Sequence, residues 1–363
     1  MQVTKHQIIE SLKKVTFPGS KSDIVSQGKI KEIEITETTI SLIIFTTKEE
    51  SKYHTALADT VRHAIQKYLE SKIEVVVTYD TPAIKPADGG IGKVKNIIAI
   101  ASGKGGVGKS TITANIAVSL AQKGYKVGVI DADISGPSIP KMFGIERNLP
   151  NSTFINEKQF MIPIERYGIK ILSIGLFVKP EESLAWRGPM ASSALRQLIT
   201  EADWGELDIL LFDTPPGTSD IHLTIVQTLP LTGVVIVTTP QDVAIIDAVR
   251  GIDLFRKGAV SVPILGLIEN MSWFTPAELP NNKYYIFGKS GGEKLAAEND
   301  ITLLGQVPIV QKIREGGDNG EPVSIHENSL LQTIFSEITD KLIVSLEERN
   351  DNLPETHQIQ MKH

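Results

Sequence analysis

The stretch IIAIASGKGGVGKST, residues 97–111, constrains this chain more than any other. An apolar, strand-forming run leads at once into Gly-x-x-x-x-Gly-Lys-Ser, and residues at helical spacing follow. Gly103, Gly105, Gly106 and Gly108 let the backbone, Val107 included, turn its N–H groups inward around phosphate oxygens. The helix that opens at this point, with Thr111 in its first turn, aims the positive end of its dipole at the same place. Lys109 supplies a mobile charge to the outer phosphates, and the Ser110 hydroxyl is placed to ligate Mg²⁺. Strand, spacing and helix together separate this reading from a Gly-rich turn that merely caps a helix. A second lysine, Lys104, lies in the loop, and local chemistry alone gives it no task.

A phosphate loop of this kind needs a sheet behind it. From residue 96 onward, short apolar runs alternate with longer helical patterns. The strand candidates are 96–102, 126–132, 169–175, 207–213, 233–239, 263–269 and 303–308. Strands apolar on both faces and separated by helices predict a mostly parallel sheet covered by helices on both faces. The fold class is therefore α/β. NSTFINEKQFMIPIERY reads as a hairpin inserted between strands.

Acidic residues at the strand ends complete the chemistry. VGVIDAD ends a strand at Asp131, with Asp133 two residues on and so on the same side. ILLFDTPPG ends another at Asp213. In open α/β sheets ligands gather at the C-terminal strand ends, which favours a metal-shell role over helix capping for Asp131 and Asp213. Asp220 reads better as a helix cap. GLIENMS ends a strand at Asn270, whose amide suits the edge of an adenine ring and equally suits a turn. Pro308 is a candidate wall of the base pocket, or a plain turn proline.

The first 80 residues form a separate unit. Their pattern is helix, strand, strand, helix, strand, with a turn at Thr36–Thr39, which predicts a small α+β domain. Residues 81–95 carry Pro and Gly and read as a linker, 96–345 hold the nucleotide domain, and the polar residues 346–363 read as a disordered tail. The net charge of -6 disfavours a broad nucleic-acid surface. No apolar run approaches membrane-spanning length and no secretion signal is visible, so the cytoplasm is the expected compartment. The chain contains no cysteine, which removes disulfides, thiolate metal sites and thiol catalysis together.

The loop KGGVGKST, with its extra Lys104, resembles the deviant Walker A motif of the ATPases that include MinD, ParA and the Mrp/ApbC proteins. DADISGPSIPKMFG, DTPPGTSDIHLTIVQ, TTPQDVAIIDAVRGIDLF, IENMSWF and REGGDNGEPV narrow the resemblance to the Mrp/ApbC branch over residues 96–345. Residues 1–80 resemble the PaaD-like domain that many Mrp proteins carry. The resemblance implies a homodimeric, Mg²⁺- and ATP-dependent carrier or scaffold for iron–sulfur clusters, serving assembly partners or apo client proteins, with no nucleic-acid or membrane partner. It implies that Lys109 and Ser110 hold phosphate and Mg²⁺, that Asp131 and Asp213 support the metal, and that Asp133 serves the attacking water. Asn270 would contact adenine. Lys104 would reach across the dimer to the partner's nucleotide, delivering charge to the transition state as an arginine finger does.

The sequence departs from this pattern at one place. The family's Cys-x-x-Cys pair should follow Asn-Met-Ser, yet NMSWFTPAELPNNKYYIFG holds residues such as Ala277 and Pro280 there. Clusters are normally held by thiolates. The expectation is that Trp273, Phe274, Tyr284, Tyr285 and Phe287 pack this stretch into a structural or partner-binding surface. Cluster ligands are not identifiable in the chain. The alternative function is a cysteine-free switch ATPase that matures or positions protein partners. A membrane-positioning ATPase would need a basic amphipathic C-terminal helix, and SLLQTIFSEITDKLIVSLEERN ends acidic.

Overall fold

The computed structural model describes residues 3–17, 22–36, 39–46, 53–69, 73–80, 90–134, 136–155, 157–177, 188–217, 229–257, 262–276, 278–327 and 329–354. The chain divides into two compact units, residues 1–85 and 86–359.

In the first unit, α1 (Lys5–Leu12) starts at a capping box in which Thr4 and Gln7 satisfy each other's backbone N–H groups. It is followed by β1 (Ile30–Ile35), β2 (Thr39–Phe45), α2 (His54–Leu69) and β3 (Glu74–Asp80). The β1–β2 pair is antiparallel and β2–β3 parallel. Strand β2 alternates buried Ile40, Leu42 and Ile44 with outward neighbours. Those three meet Ile8, Leu12, Leu57, Val61 and Ile65 from the two helices. Each such side chain contributes ~1.5–3 kcal/mol on burial, which offsets the entropy cost of ordering a unit this small.

The second unit opens with β4 (Val94–Ala101) and α3 (Lys109–Gln122), then β5 (Val127–Asp131), the single turn α4 (Ile139–Met142) and the hairpin β6 (Asn151–Ile155) and β7 (Lys158–Ile162). Next come β8 (Ile164–Arg166), β9 (Ile169–Ser173), α5 (Gly188–Thr200), β10 (Leu207–Asp213), β11 (Gly233–Thr238) and α6 (Asp242–Lys257). The order closes with β12 (Ile264–Phe274), α7 (Gly291–Glu298), β13 (Leu303–Ile309), α8 (Gln311–Asn319) and α9 (Leu330–Asn352). Eight strands form one sheet in the order β13-β12-β11-β4-β10-β5-β9-β8, parallel except for β8 on β9. All seven expected strands are present, and residues 151–162 form the expected hairpin.

Both faces are covered, as fully apolar strands require. One face buries Ile112 and Ile116 of α3 with Phe335, Ile338 and Leu342 of α9. The other buries Leu198 of α5, Ile252 and Phe255 of α6 and Leu295 of α7, with Trp204 donating its indole N–H to the Leu198 carbonyl at 3.0 Å.

Two boundaries differ from the sequence reading. The Gly90 N–H bonds the Ala202 carbonyl at 2.7 Å and Ile91 packs on the core, so the end of the expected linker belongs to the nucleotide unit. Helix α9 runs to Asn352, past the domain bound at 345 and into the expected tail. Its last turns hold because Leu346 is buried and Asn350 Nδ2 donates to Asn96 Oδ1 at 3.0 Å. No helix among the described residues is long and apolar enough to cross a membrane.

Candidate nucleotide site

β4 delivers the chain to the phosphate loop and α3 carries it away. Two close approaches fix the loop's path. A Cβ at Gly103 would overlap the backbone of Asp247 in α6, so only glycine lets helix and loop lie together. Gly108 has φ 82°, and a Cβ there would overlap Nδ2 of Asn270. That amide donates to the Val107 carbonyl at 2.8 Å and so pins the loop from β12. A carbonyl can only accept, so Nδ2 spends one of its two N–H groups there, and its other N–H and Oδ1 remain for a ligand.

Beneath the loop, three side chains converge on one buried carboxylate. The Lys109 ammonium lies 2.8 Å from Asp213 Oδ1, with the two side chains 6% and 0% exposed. Ser110 Oγ donates to Asp213 Oδ2 at 2.6 Å, and Thr113 Oγ1 donates to Oδ1 at 2.7 Å. Lys109 and Ser110, the phosphate and metal candidates, are therefore both turned onto Asp213. A hydroxyl and a carboxylate are hard oxygen donors that suit Mg²⁺.

Asp131 sits beside Asp213 in strand register. Its Oδ1 accepts from the Asp133 N–H at 3.1 Å, and its Oδ2 from the Ile139 N–H at 3.2 Å and Ser173 Oγ at 2.9 Å. Burial first, and then the neighbouring Asp213 charge, push its carboxyl up to about 7. A raised folded-state value means extra stability below the unfolded value near 4, lost as pH rises towards 7. Asp131→Asn mimics the protonated acid. The expected result in nucleotide-free protein is that wild type loses on the order of 2–4 kcal/mol relative to this variant between pH 4 and 7.5. Urea denaturation at the two pH values measures it, and parallel pH profiles would contradict the assignment.

Asp133 lies at the mouth of the site and accepts the Gly136 N–H at 3.2 Å. It borders a cavity of about 200 Å³ together with Lys104, Pro216 and the loop. Lys104 carries no ion pair among the described residues, and its carbonyl accepts from Ser102 Oγ at 3.0 Å. A second cavity of about 560 Å³ adjoins the first through Gly108, Thr111, Ser138 and Met142. Asn270, Pro308, Ile313 and Phe287 are among its walls. A small polar cavity opening into a larger apolar one has the shape of a polyphosphate site continued by a base site.

The structure thus brings Gly103 to Thr111, Asp131, Asp133, Asp213, Asn270 and Pro308 to one end of the sheet. Asp220 and Ala277 lie outside the described residues. Thr113, Ser173 and Glu269 escape the sequence reading. Two are hydroxyls that acquire meaning only across strands, and the third is a carboxylate inside an apolar run.

The expectation that the aromatic stretch forms a surface is compatible with the structure, but the expected packing of its rings needs correction. Phe274, Tyr284 and Tyr285 are 37%, 46% and 40% exposed, and Trp273 and Phe287 are half-buried. Among the described residues one two-way backbone pair, Phe274 with Tyr284 at 2.8 Å, joins the two arms of the segment, the other backbone bonds within it being local turns.

The profile described as NUBPL iron-transfer P-loop NTPase matches residues 93–343. The chain belongs to this family. A second profile, described as iron-sulfur cluster assembly protein, matches residues 5–87 of this NUBPL-family chain. Its relatives include proteins named iron-sulfur cluster carrier protein. The one from Synechocystis is 40% identical, with 90% of this chain and 92% of that one covered. The one from Haemophilus influenzae is 39% identical, covering 94% and 92%. Among solved structures, a nucleotide-binding protein from Archaeoglobus fulgidus in complex with ADP shares 33% identity at TM-score 0.54, over 66% of this chain and 91% of that one. MinD of Pyrococcus horikoshii complexed with Mg-ADP, at 23% identity and TM-score 0.50 over 68% and 96%, shares the fold.

Proposed function

We propose that this chain binds and hydrolyses ATP as a Mg²⁺-dependent homodimer in the cytoplasm, and that it acts as a carrier or scaffold in iron–sulfur cluster assembly or transfer. The observation that carries the nucleotide part is the convergence of Lys109, Ser110 and Thr113 on Asp213 beneath a glycine loop. Lys109 binds the outer phosphates once it leaves Asp213. Ser110 and Asp213 would hold Mg²⁺, directly and from behind, with Asp131 as support, and the ion supplies charge neutralisation at the phosphates. Asp133, at the cavity mouth, orients the attacking water. Asn270, with Oδ1 and one N–H of Nδ2 left for a ligand, contacts the edge of the adenine ring. The relatives' names and the two family profiles support the cluster part. Cluster ligands would then come from a client's cysteines, because this chain has none.

Lys104 lines the phosphate cavity, with no ion-pair partner among the described residues. In the proposed dimer it reaches the partner's nucleotide. Lys104→Ala is expected to bind ADP within about threefold of wild type and to lose at least ~100-fold in kcat. Normal turnover would remove the cross-dimer role.

The absence of cysteine also favours a second reading, a switch ATPase that matures or positions protein partners without holding a cluster. Anaerobic reconstitution with iron and sulfide, with and without ATP and with and without a cysteine-bearing acceptor, separates the two. Iron retained only with the acceptor supports shared carriage. Iron retained in neither case, with ATP turnover intact, leaves the switch reading.

A further inference from the structure

The buried carboxylate of Glu269 has no part in the chemistry above. It is 0% exposed and makes no ion pair among the described residues. Its Oε2 accepts from the Gly292 N–H at 2.6 Å, and its Oε1 accepts from Gln306 Nε2 at 2.8 Å. Gly292 lies in the first turn of α7, and Gln306 stands two residues before Pro308 on β13. One side chain therefore ties β12, β13 and the α7 N-terminus together. Ser or Thr could cap a helix start without burying a charge. A carboxylate reaching over from a neighbouring strand does something else: it fixes where the helix start lies relative to that strand.

What lies between the tied points is the exposed aromatic segment. Directly after Glu269, the chain turns Asn270 to the opposite face of the sheet, onto the phosphate loop. Met271 then takes a left-handed conformation at φ 57°, Ser272 Oγ donates back to the Glu269 carbonyl at 2.8 Å, and the register against β13 shifts. Such bulges re-aim a strand at functional sites, and a non-glycine residue held there is strained. The strand exits to Phe274, pairs with Tyr284, and returns through Ile286 and Phe287 to the helix that Glu269 holds. Met271, Ile286 and Phe287 all line the 560 Å³ cavity assigned to the base. The segment that stands where the family's cysteines should be is thus itself a wall of the nucleotide site.

We propose that Glu269 is a positioning residue: it holds residues 284–287 in place as the outer wall of the nucleobase cavity, so that base occupancy and the exposed aromatic segment respond together. This rests on the nucleotide reading above. A base entering between α8 and this wall covers Ile286 and Phe287, and through the Phe274–Tyr284 pair it restrains Trp273, on whose ring Lys283 stacks at 3.8 Å.

The test uses the full chain with Trp186→Phe, which leaves buried Trp204 and the reporter Trp273. Saturating ADP is expected to lower acrylamide quenching of Trp273 about twofold. Glu269→Ala is expected to abolish that change and to raise KM for ATP at least tenfold, with kcat within about twofold. Glu269→Gln is expected to retain both, because the Gln306 amide can turn to accept from the new amide while Gly292 keeps its acceptor. Should Glu269→Ala fail to fold, the exposed Ile286→Ser is expected to raise KM severalfold at unchanged kcat. Wild type that binds ADP with unchanged Trp273 quenching overturns this inference alone, as does an unchanged KM in Glu269→Ala or in Ile286→Ser. Wild type that takes up no ADP overturns the nucleotide reading as well.

Discussion

Asp213→Ala is expected to destabilise the nucleotide-free protein by about 3–5 kcal/mol and to abolish ATP turnover. The carboxylate is fully buried and receives Lys109, Ser110 and Thr113 at once. Its removal leaves an ammonium in a low-dielectric site without this counter-charge, and the Ser110 hydroxyl loses its acceptor while Thr113 falls back on the Lys109 carbonyl at 3.0 Å. The cost comes from the uncompensated lysine more than from the lost attraction. It follows that Asp213→Ala combined with Lys109→Met should be less damaging to stability than Asp213→Ala alone, while remaining inactive. Thermal denaturation followed by circular dichroism reads this directly, at about 2–4 °C per kcal/mol for a unit of this size. Equal melting temperatures for single and double variants would show that the buried pair does not set the penalty.

Gly103→Ala is expected to cost at least ~3 kcal/mol and to weaken nucleotide binding by more than 100-fold. The added methyl meets the α6 backbone at Asp247, which has no side-chain freedom with which to yield. Either the loop or the helix must move, and the Gly217 N–H bond to the Ser102 carbonyl at 3.0 Å would go with it. The neighbouring Gly105 is a useful contrast, because its φ is not left-handed and a Cβ there makes only an ordinary contact with Pro216 at 3.8 Å. Fluorescent-ADP titration of both variants separates crowding from mere loss of glycine. Binding by Gly103→Ala equal to that of Gly105→Ala would refute the close-approach account.

Much of this was legible in the sequence because apolar runs such as LDILLFD and GVVIVTT have few alternatives to a doubly covered parallel strand, and because each acidic candidate stands where such a run ends. The C-terminal boundary was not legible. EERNDN is polar, but Glu and Arg are good helix formers, and buried Leu346 anchors the turns that follow. The partners of Asp213 were only half legible. Lys109 and Ser110 belong to a motif, whereas Thr113 matters through a position one turn on that faces a strand about 100 residues away. At residues 273–287 aromatic content marked a surface and not a packed cluster, since the rings of a short two-armed segment need not be buried.

The strand order has a consequence for how the protein is made. β4, which carries the phosphate loop, lies between β10 and β11 at the heart of the sheet. Residues 103–110 therefore leave the ribosome long before residues 207–238, which supply both flanking strands. Helix α9, which covers the same face as α3, comes last of all. The ligand-binding loop is thus among the first parts of its unit to be synthesised and among the last to be enclosed. Through that interval its apolar strand stands without neighbours, and it is there that a nascent chain of this topology most needs a chaperone's shelter.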